Sequence, residues 1–190
     1  MAYLRRVVIT GLGIVSPIGH SVEQFEASLR LGRSGIREND WQDTTGYSSH
    51  MVGRIVNFEP PAWFSKFQKK HASQIDQYVL TAADEAIRHS ALSLNDTVRQ
   101  RTGVVLGSGG AVANTEAYIM EELRGKPLHP SRGLNQNPDI AGAMVAAQFG
   151  LQGPRSSIMT ACSSGALALG FAADFIRSGY ADVMLSGGAE

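Results

Sequence analysis

An α/β fold, with a sheet layered between helices, is predicted by three features of this 190-residue sequence. Short runs dense in β-branched residues alternate with longer segments whose apolar residues recur at helical spacing. Such alternation implies strands joined through helices that pack on both faces of one sheet. Glycine is frequent, 21 residues, and gathers at 103–110, 150–153 and 187–188, beside the strand-like runs rather than in a linker. That placement suits tight strand ends and close backbone packing. At 43% hydrophobic and 18% charged, the composition is that of an ordinary globular chain, and the length suits one domain or a large part of one.

Residues 5–10, RRVVIT, read as the first strand, stopped by Gly11-Leu12-Gly13. Ser21 opens a helical pattern through Leu31, with Gln24 placed as a capping-box partner and Gly32 as the stop. Residues 33–60 are turn-rich, with a short strand at 51–56. A helical region follows Pro61, breaks near 69–73 and continues through Ser90, with Ile75, Val79, Ala82, Ala83 and Ala86 on its core face. A strand at 101–106 ends in Gly107-Ser108-Gly109-Gly110. Helices at 112–124 and 138–149 come next, separated by an irregular 125–137 segment. Residues 155–160 form a strand, 161–165 a turn into a small-residue helix reaching Ser178, and 182–186 a last strand ending in Gly187-Gly188.

Seventeen basic and seventeen acidic residues cancel, so net charge gives no reason to expect nucleic acid, and an electrostatic partner site must be local. No run of about 18 apolar residues occurs, so a membrane span is not expected. The start, MAYLRR, runs straight into strand-like sequence, which is unlike a secretory signal. One cysteine forms no internal disulfide, which fits a reducing cytoplasm. Five scattered histidines beside it have no zinc-ligand spacing, so neither metal nor cofactor is expected.

The chemistry centres on residues 150–154, GLQGP, followed by 160–165, TACSSG. A strand delivers Cys162 to a turn, and a helix of Gly, Ala and Leu begins next. Amide N–H groups at a helix start carry about half a positive charge, which favours thiolate and raises nucleophilicity. Small neighbours let an elongated substrate come close. The competing reading is a buried, inert cysteine acting as a small hydrophobe. These features alone do not identify a reaction.

Residues 7–19, VVITGLGIVSPIG, resemble the opening of the β-ketoacyl-acyl carrier protein synthases. Residues 151–165, LQGPRSSIMTACSSG, resemble their nucleophile motif, and 186–190, SGGAE, the strand end beyond the nucleophile helix. SLRLGRSGI at 28–36 and VLGSGG at 105–110 match between these anchors. The resemblance implies a thiolase-like fold of two related halves, layered α/β/α/β/α when complete, and a homodimer or a heterodimer with a related subunit. It implies decarboxylative condensation in fatty-acid or polyketide biosynthesis, with acyl carrier protein as partner. An acyl group would move to Cys162, and malonyl-carrier protein would lose carbon dioxide and attack it. The Cys162 N–H becomes an oxyanion-hole candidate.

Family members complete the site with two histidines, and usually a lysine, from a second half. Here His20, His50, His71, His89 and His129 all precede Cys162 and match no such motif; they read as packing or surface residues. The sequence is therefore expected to represent an amino-terminal half, residues 1–190, inactive in condensation by itself. Gly109 and Gly110 fall where related synthases line the acyl tunnel, and would leave room for a long or kinked chain; a tight turn is the alternative. Residues 131–139, SRGLNQNPD, are polar for a segment near the partner's tunnel, which suits a functionalised chain or simply an exposed loop. Lys66, Lys69, Lys70, Arg124 and Lys126 form two basic clusters suited to an acidic carrier protein, or to a solvated face.

Four other readings compete. A non-catalytic subunit that sets chain length typically lacks the cysteine, while an inert folding and dimerisation module would leave Cys162 unlabelled by a thioester. A coenzyme A thiolase shares the fold but fits the GPR-x4-TACSSG context less well. A hydrolase lacks both a G-x-S-x-G elbow and a following histidine. The glycine runs also lack the full dinucleotide pattern.

Overall fold

The computed structural model describes residues 5–109, 112–125, 127, 130, 133 and 136–190. Gly110, Lys126 and His129 lie outside the described residues. The elements run α1 (Val22–Arg30), β1 (Arg37–Glu38), β2 (Met51–Val52), α2 (Lys66–His71), α3 (Gln74–His89), α4 (Asp96–Gln100), β3 (Thr102–Gly107) and α5 (Val112–Leu123). They continue through α6 (Ile140–Phe149), β4 (Arg155–Ile158), a 3-10 turn (Ala161–Ser163), α7 (Ser164–Arg177) and β5 (Val183–Gly188). No described helix is long and apolar enough to cross a membrane.

Helices α1 to α4 begin where a side chain accepts from their open amides. Ser65 and Gln68 form a complete capping box at α2. Ser73 and Asp76 form another at α3. Asn95 Oδ1 accepts from Val98 N at α4. At α1 the expected box is half formed. Ser21 Oγ accepts from Gln24 N, but Gln24 Oε1 accepts from His20 N, one residue before the cap. The break between α2 and α3 falls at Ala72 and Ser73, inside the predicted 69–73 window.

The larger sheet has order β4-β3-β5, both neighbours parallel to β3. Successive residues of a strand face opposite sides, and β3 divides the core accordingly. Val104 packs with Val79 and Leu80 of α3 and Val145 of α6. Val105 packs with Ala168 and Ala172 of α7 on the other face. Helices thus cover both faces of the sheet. Each fully buried side chain such as Leu80 contributes about 2 kcal/mol of apolar transfer.

The expected strand at 5–10 is not one. It joins no ladder, and Val8 and Ile9 are 72% and 77% exposed. The segment leads into a stretch laid along α3: Leu12 N donates to His89 Nδ1, and Ile14 N donates to Glu85. Gly11 and Gly13 sit where a Cβ would collide with the carbonyls of Ala86 and Ala82. β-Propensity reflects a site that can be paired, and no described strand lies at this one's edge.

Smaller differences have similar causes. The strand expected at 51–56 shrinks to Met51–Val52, because its partner is only Arg37–Glu38. The final strand runs on through Gly187 and Gly188, which stay in register with Leu106 and Gly107. The strand expected to reach residue 160 stops at Ile158, where its pairing with β3 ends. The five-residue helix α4 has no counterpart in the sequence reading, which saw only a strand boundary there.

Candidate active site

At the carboxyl ends of parallel strands the chain must leave the sheet, and side chains there face an open crevice. β3 and β5 end side by side at the paired Gly107 and Gly188. β4 delivers Thr160, with φ −139° and ψ 38°. Ala161 then turns left-handed at φ 51°, a conformation a residue with a Cβ holds only when its surroundings enforce it. The 3-10 turn follows and α7 starts at Ser164. Cys162 therefore sits within the 3-10 turn, two residues before the α-helix.

Cys162 is a free thiol and exposed. The thiol is therefore not buried as the competing reading expected. It lines a pocket of about 250 Å³ together with Gly107, Ser108, Gly109, Ala161 and Glu190 among others. No histidine, lysine or arginine lines it among the described residues.

Backbone packing explains why glycines stand here. A Cβ on Gly107 would overlap the carbonyl of Ser164, and one on Gly188 would come within 2.9 Å of Gly165 Cα. The first turn of α7 therefore rests directly on the ends of β3 and β5. Ser164, 2% exposed, ties the pieces together. Its Oγ accepts from Thr160 N at 2.8 Å, and faces the carbonyls of Ser108 at 2.9 Å and Ala161 at 2.7 Å. Ser163 Oγ donates back to Thr160 O at 2.9 Å. The sequence reading passed over Ser164 and Ala161; a serine three residues after an alanine at a strand-to-helix turn is the signal for such a back-bond.

Other predicted residues fall as follows. Gly109 lines the pocket, and a Cβ there would strike the Glu190 carboxylate. The room glycine leaves is taken by that side chain, the last residue of SGGAE. Lys66, Lys69 and Lys70 are exposed on α2, and Arg124 is exposed just past α5. His20 stacks edge-on against Phe58, His71 lies against Phe67, and His50 pairs with Thr44. His89 accepts from Leu12 N. None of these four histidines lines the pocket. Within the polar 131–139 segment, Asp139 forms an ion pair with Arg155 and accepts from Ser157 Oγ, joining α6 to β4.

The family model for the N-terminal domain of β-ketoacyl synthase matches residues 4–190. The 3-oxoacyl-[acyl-carrier-protein] synthase 2 of Staphylococcus aureus (strain N315) is 33% identical, over all of this chain and 47% of its own length. The enzyme of the same name from Vibrio cholerae is 35% identical over 98% of this chain and 46% of its own. The chain thus spans about half the length of the curated relatives it matches. Among solved structures, the ishigamide ketosynthase/chain length factor superposes with TM-score 0.85 at 30% identity, covering 98% of this chain and 48% of that one. The ketosynthase of a type II PKS complex with its acyl-carrier protein, bound to the hexaketide, gives 0.81 at 28% identity, over 98% and 45%. On the match of that family model over residues 4–190 and of these folds over nearly the whole chain, the protein belongs to the β-ketoacyl synthase family, as its thiolase-like N-terminal domain.

Proposed function

We propose that this chain is the nucleophile-bearing part of a β-ketoacyl-acyl carrier protein synthase acting in fatty-acid or polyketide biosynthesis. The observation that carries this is the exposed thiol of Cys162 in a pocket at the carboxyl ends of β3 and β5. In the first half-reaction the Cys162 sulfur attacks the carbonyl of a carrier-bound acyl thioester. A new thioester forms, and the carrier thiol leaves with the proton. In the second, malonyl-carrier protein loses carbon dioxide and its carbanion attacks the acyl-cysteine, releasing the Cys162 thiolate. Covalent capture makes each barrier smaller than that of a single displacement. The condensation needs proton-handling groups beyond those lining the pocket. Two histidines and a lysine from a second half of the protein fill that role in this reading.

Further assignments belong to the same proposal. Gly109 and Gly110 border the path of the acyl chain. Lys66, Lys69 and Lys70, with Arg124 and Lys126, receive the acidic carrier protein, chiefly by raising encounter rate. The protein works in the cytoplasm as a dimer of like or related subunits. The exposed Lys66, Lys69 and Lys70, carried on one short helix, support the docking surface.

Incubating the protein with an acyl-carrier protein thioester should add one acyl mass, mapped by peptide mass spectrometry to Cys162. Cys162→Ala should abolish the adduct. Acylation that persists in that variant would sink the reading. At low salt, Lys70→Glu with Arg124→Glu should slow acylation about tenfold, and added salt should shrink the difference. An unchanged rate removes the docking assignment.

A further inference from the structure

We propose that Ser164 is a positioning residue for Cys162. Its hydroxyl clamps the nucleophile turn to the glycine-rich exit of β3, so that the sulfur is held toward the pocket. The inference rests on the reading of Cys162 as the acyl-accepting thiol.

Two stretches far apart in sequence meet at Ser164 Oγ, the turn 160–164 and the exit of β3. The end of β4 arrives as Thr160 N–H, 2.8 Å away. The exit of β3 presents Ser108 O at 2.9 Å, 56 residues distant in sequence. The left-handed Ala161 presents its carbonyl at 2.7 Å. A serine hydroxyl accepts on its lone pairs but has one proton to give. The Thr160 amide is accepted throughout, while the single proton is shared between the Ser108 and Ala161 carbonyls.

Both carbonyls belong to residues that line the pocket, and Cys162 lies between Ala161 and Ser164 in the chain. The hydroxyl is therefore a direct tie between the wall that faces the substrate and the turn that carries the sulfur. Only 2% of Ser164 is exposed, so water cannot easily replace these bonds. Without the hydroxyl, Thr160 N–H loses this acceptor and the turn loses its side-chain tie to the Ser108 carbonyl, leaving the Ser108 N–H bond to Ile158 O of β4. Ser163 does not substitute, because its hydroxyl bonds only within the same turn, to Thr160 O and Oγ1.

The test compares two reagents on the same thiol, for the parent, Ser164→Ala and Ser164→Thr. Iodoacetamide is small and reaches an exposed sulfur in many orientations. Butyl methanethiosulfonate transfers its alkylthio group as the Cys162 sulfur attacks and methanesulfinate leaves, and its tail must enter the pocket. The ratio of thiosulfonate to iodoacetamide rates should fall at least tenfold in Ser164→Ala, since displacement by about 1 Å can cost a hundredfold. Ser164→Thr, which keeps the hydroxyl, should recover most of it. A cooperatively melting Ser164→Ala with the parental ratio overturns the proposal. So does a Thr variant that folds yet behaves like Ala. If Ser164→Ala fails to fold, amide exchange in the parent decides: Thr160 N–H should be strongly protected, and exchange at the rate of an unstructured amide overturns the clamp. A parent that accepts no acyl group from carrier thioesters but shows the ratio change ends the acyl-transfer reading and leaves the positioning role standing.

Discussion

Asp76 shows how one side chain can serve a fold and burden it. Its carboxylate accepts from the Ser73 amide and hydroxyl, closing the capping box of α3, yet it is buried. Loss of water around it pushes its pKa above the ordinary carboxylate value, and the Ser73 hydrogen bonds offset only part of this. The folded chain therefore holds this proton more tightly than the unfolded chain, so the contribution to stability grows as pH falls through the folded pKa toward 3.8 and is lost as pH rises. The melting temperature of the parent minus that of Asp76→Asn should increase between pH 7 and pH 4. A decrease would mean that hydrogen bonding outweighs desolvation. Ser186 is a simpler case: its Oγ is buried with no hydrogen-bond partner among the described residues. A buried unpaired hydroxyl costs about 1–3 kcal/mol. Ser186→Ala should stabilise by about 1 kcal/mol in urea denaturation; a loss of stability would reveal a partner.

At the scale of elements, the turn that carries Cys162 depends on how closely α7 can approach the sheet. Gly107 is the tightest point, since any Cβ there overlaps the Ser164 carbonyl backbone. Gly107→Ala should cost about 3 kcal/mol, the upper range for overpacking, and should also disturb Cys162, because the displaced atoms belong to the clamp. Urea midpoints and thiol-labelling rates measured together check both effects. A stable variant with parental labelling would contradict the packing argument. Element identity was largely legible in the sequence: α3, β3, α6 and β5 stand close to where periodicity and glycine stops place them. The initial strand did not follow its composition. RRVVIT has the residues of a strand, but a strand exists only where another backbone offers its hydrogen bonds, and that is a property of the assembled sheet.

For the whole molecule, α7 is the informative element. Ser164, Ala168 and Ala172 bury one stripe, while Leu167, Leu169 and Phe171 on the same helix are 41%, 51% and 51% exposed. A helix apolar on nearly every side is built to be covered on more than one face. Val8 and Ile9 add to the uncovered apolar surface. The isolated 190-residue chain should self-associate at micromolar concentration, read as a light-scattering mass above that of one chain. Leu167→Glu with Phe171→Glu should reduce that mass. A monodisperse, cooperatively folding monomer would show that these side chains tolerate water.

Local chemistry was enough to place α3, β3, α6 and β5, the turn that carries Cys162 and the family to which the chain belongs, because each depends on residues close together in sequence. Tertiary structure alone decided that β3 lies between β4 and β5, that residues 5–10 find no ladder, that Glu190 fills the space beside Gly109, and that Ser164 joins Thr160 to Ser108. Those outcomes require groups tens of residues apart to arrive at hydrogen-bond or van der Waals distance. No propensity or spacing along the chain encodes that meeting, because it is selected only when the whole core packs.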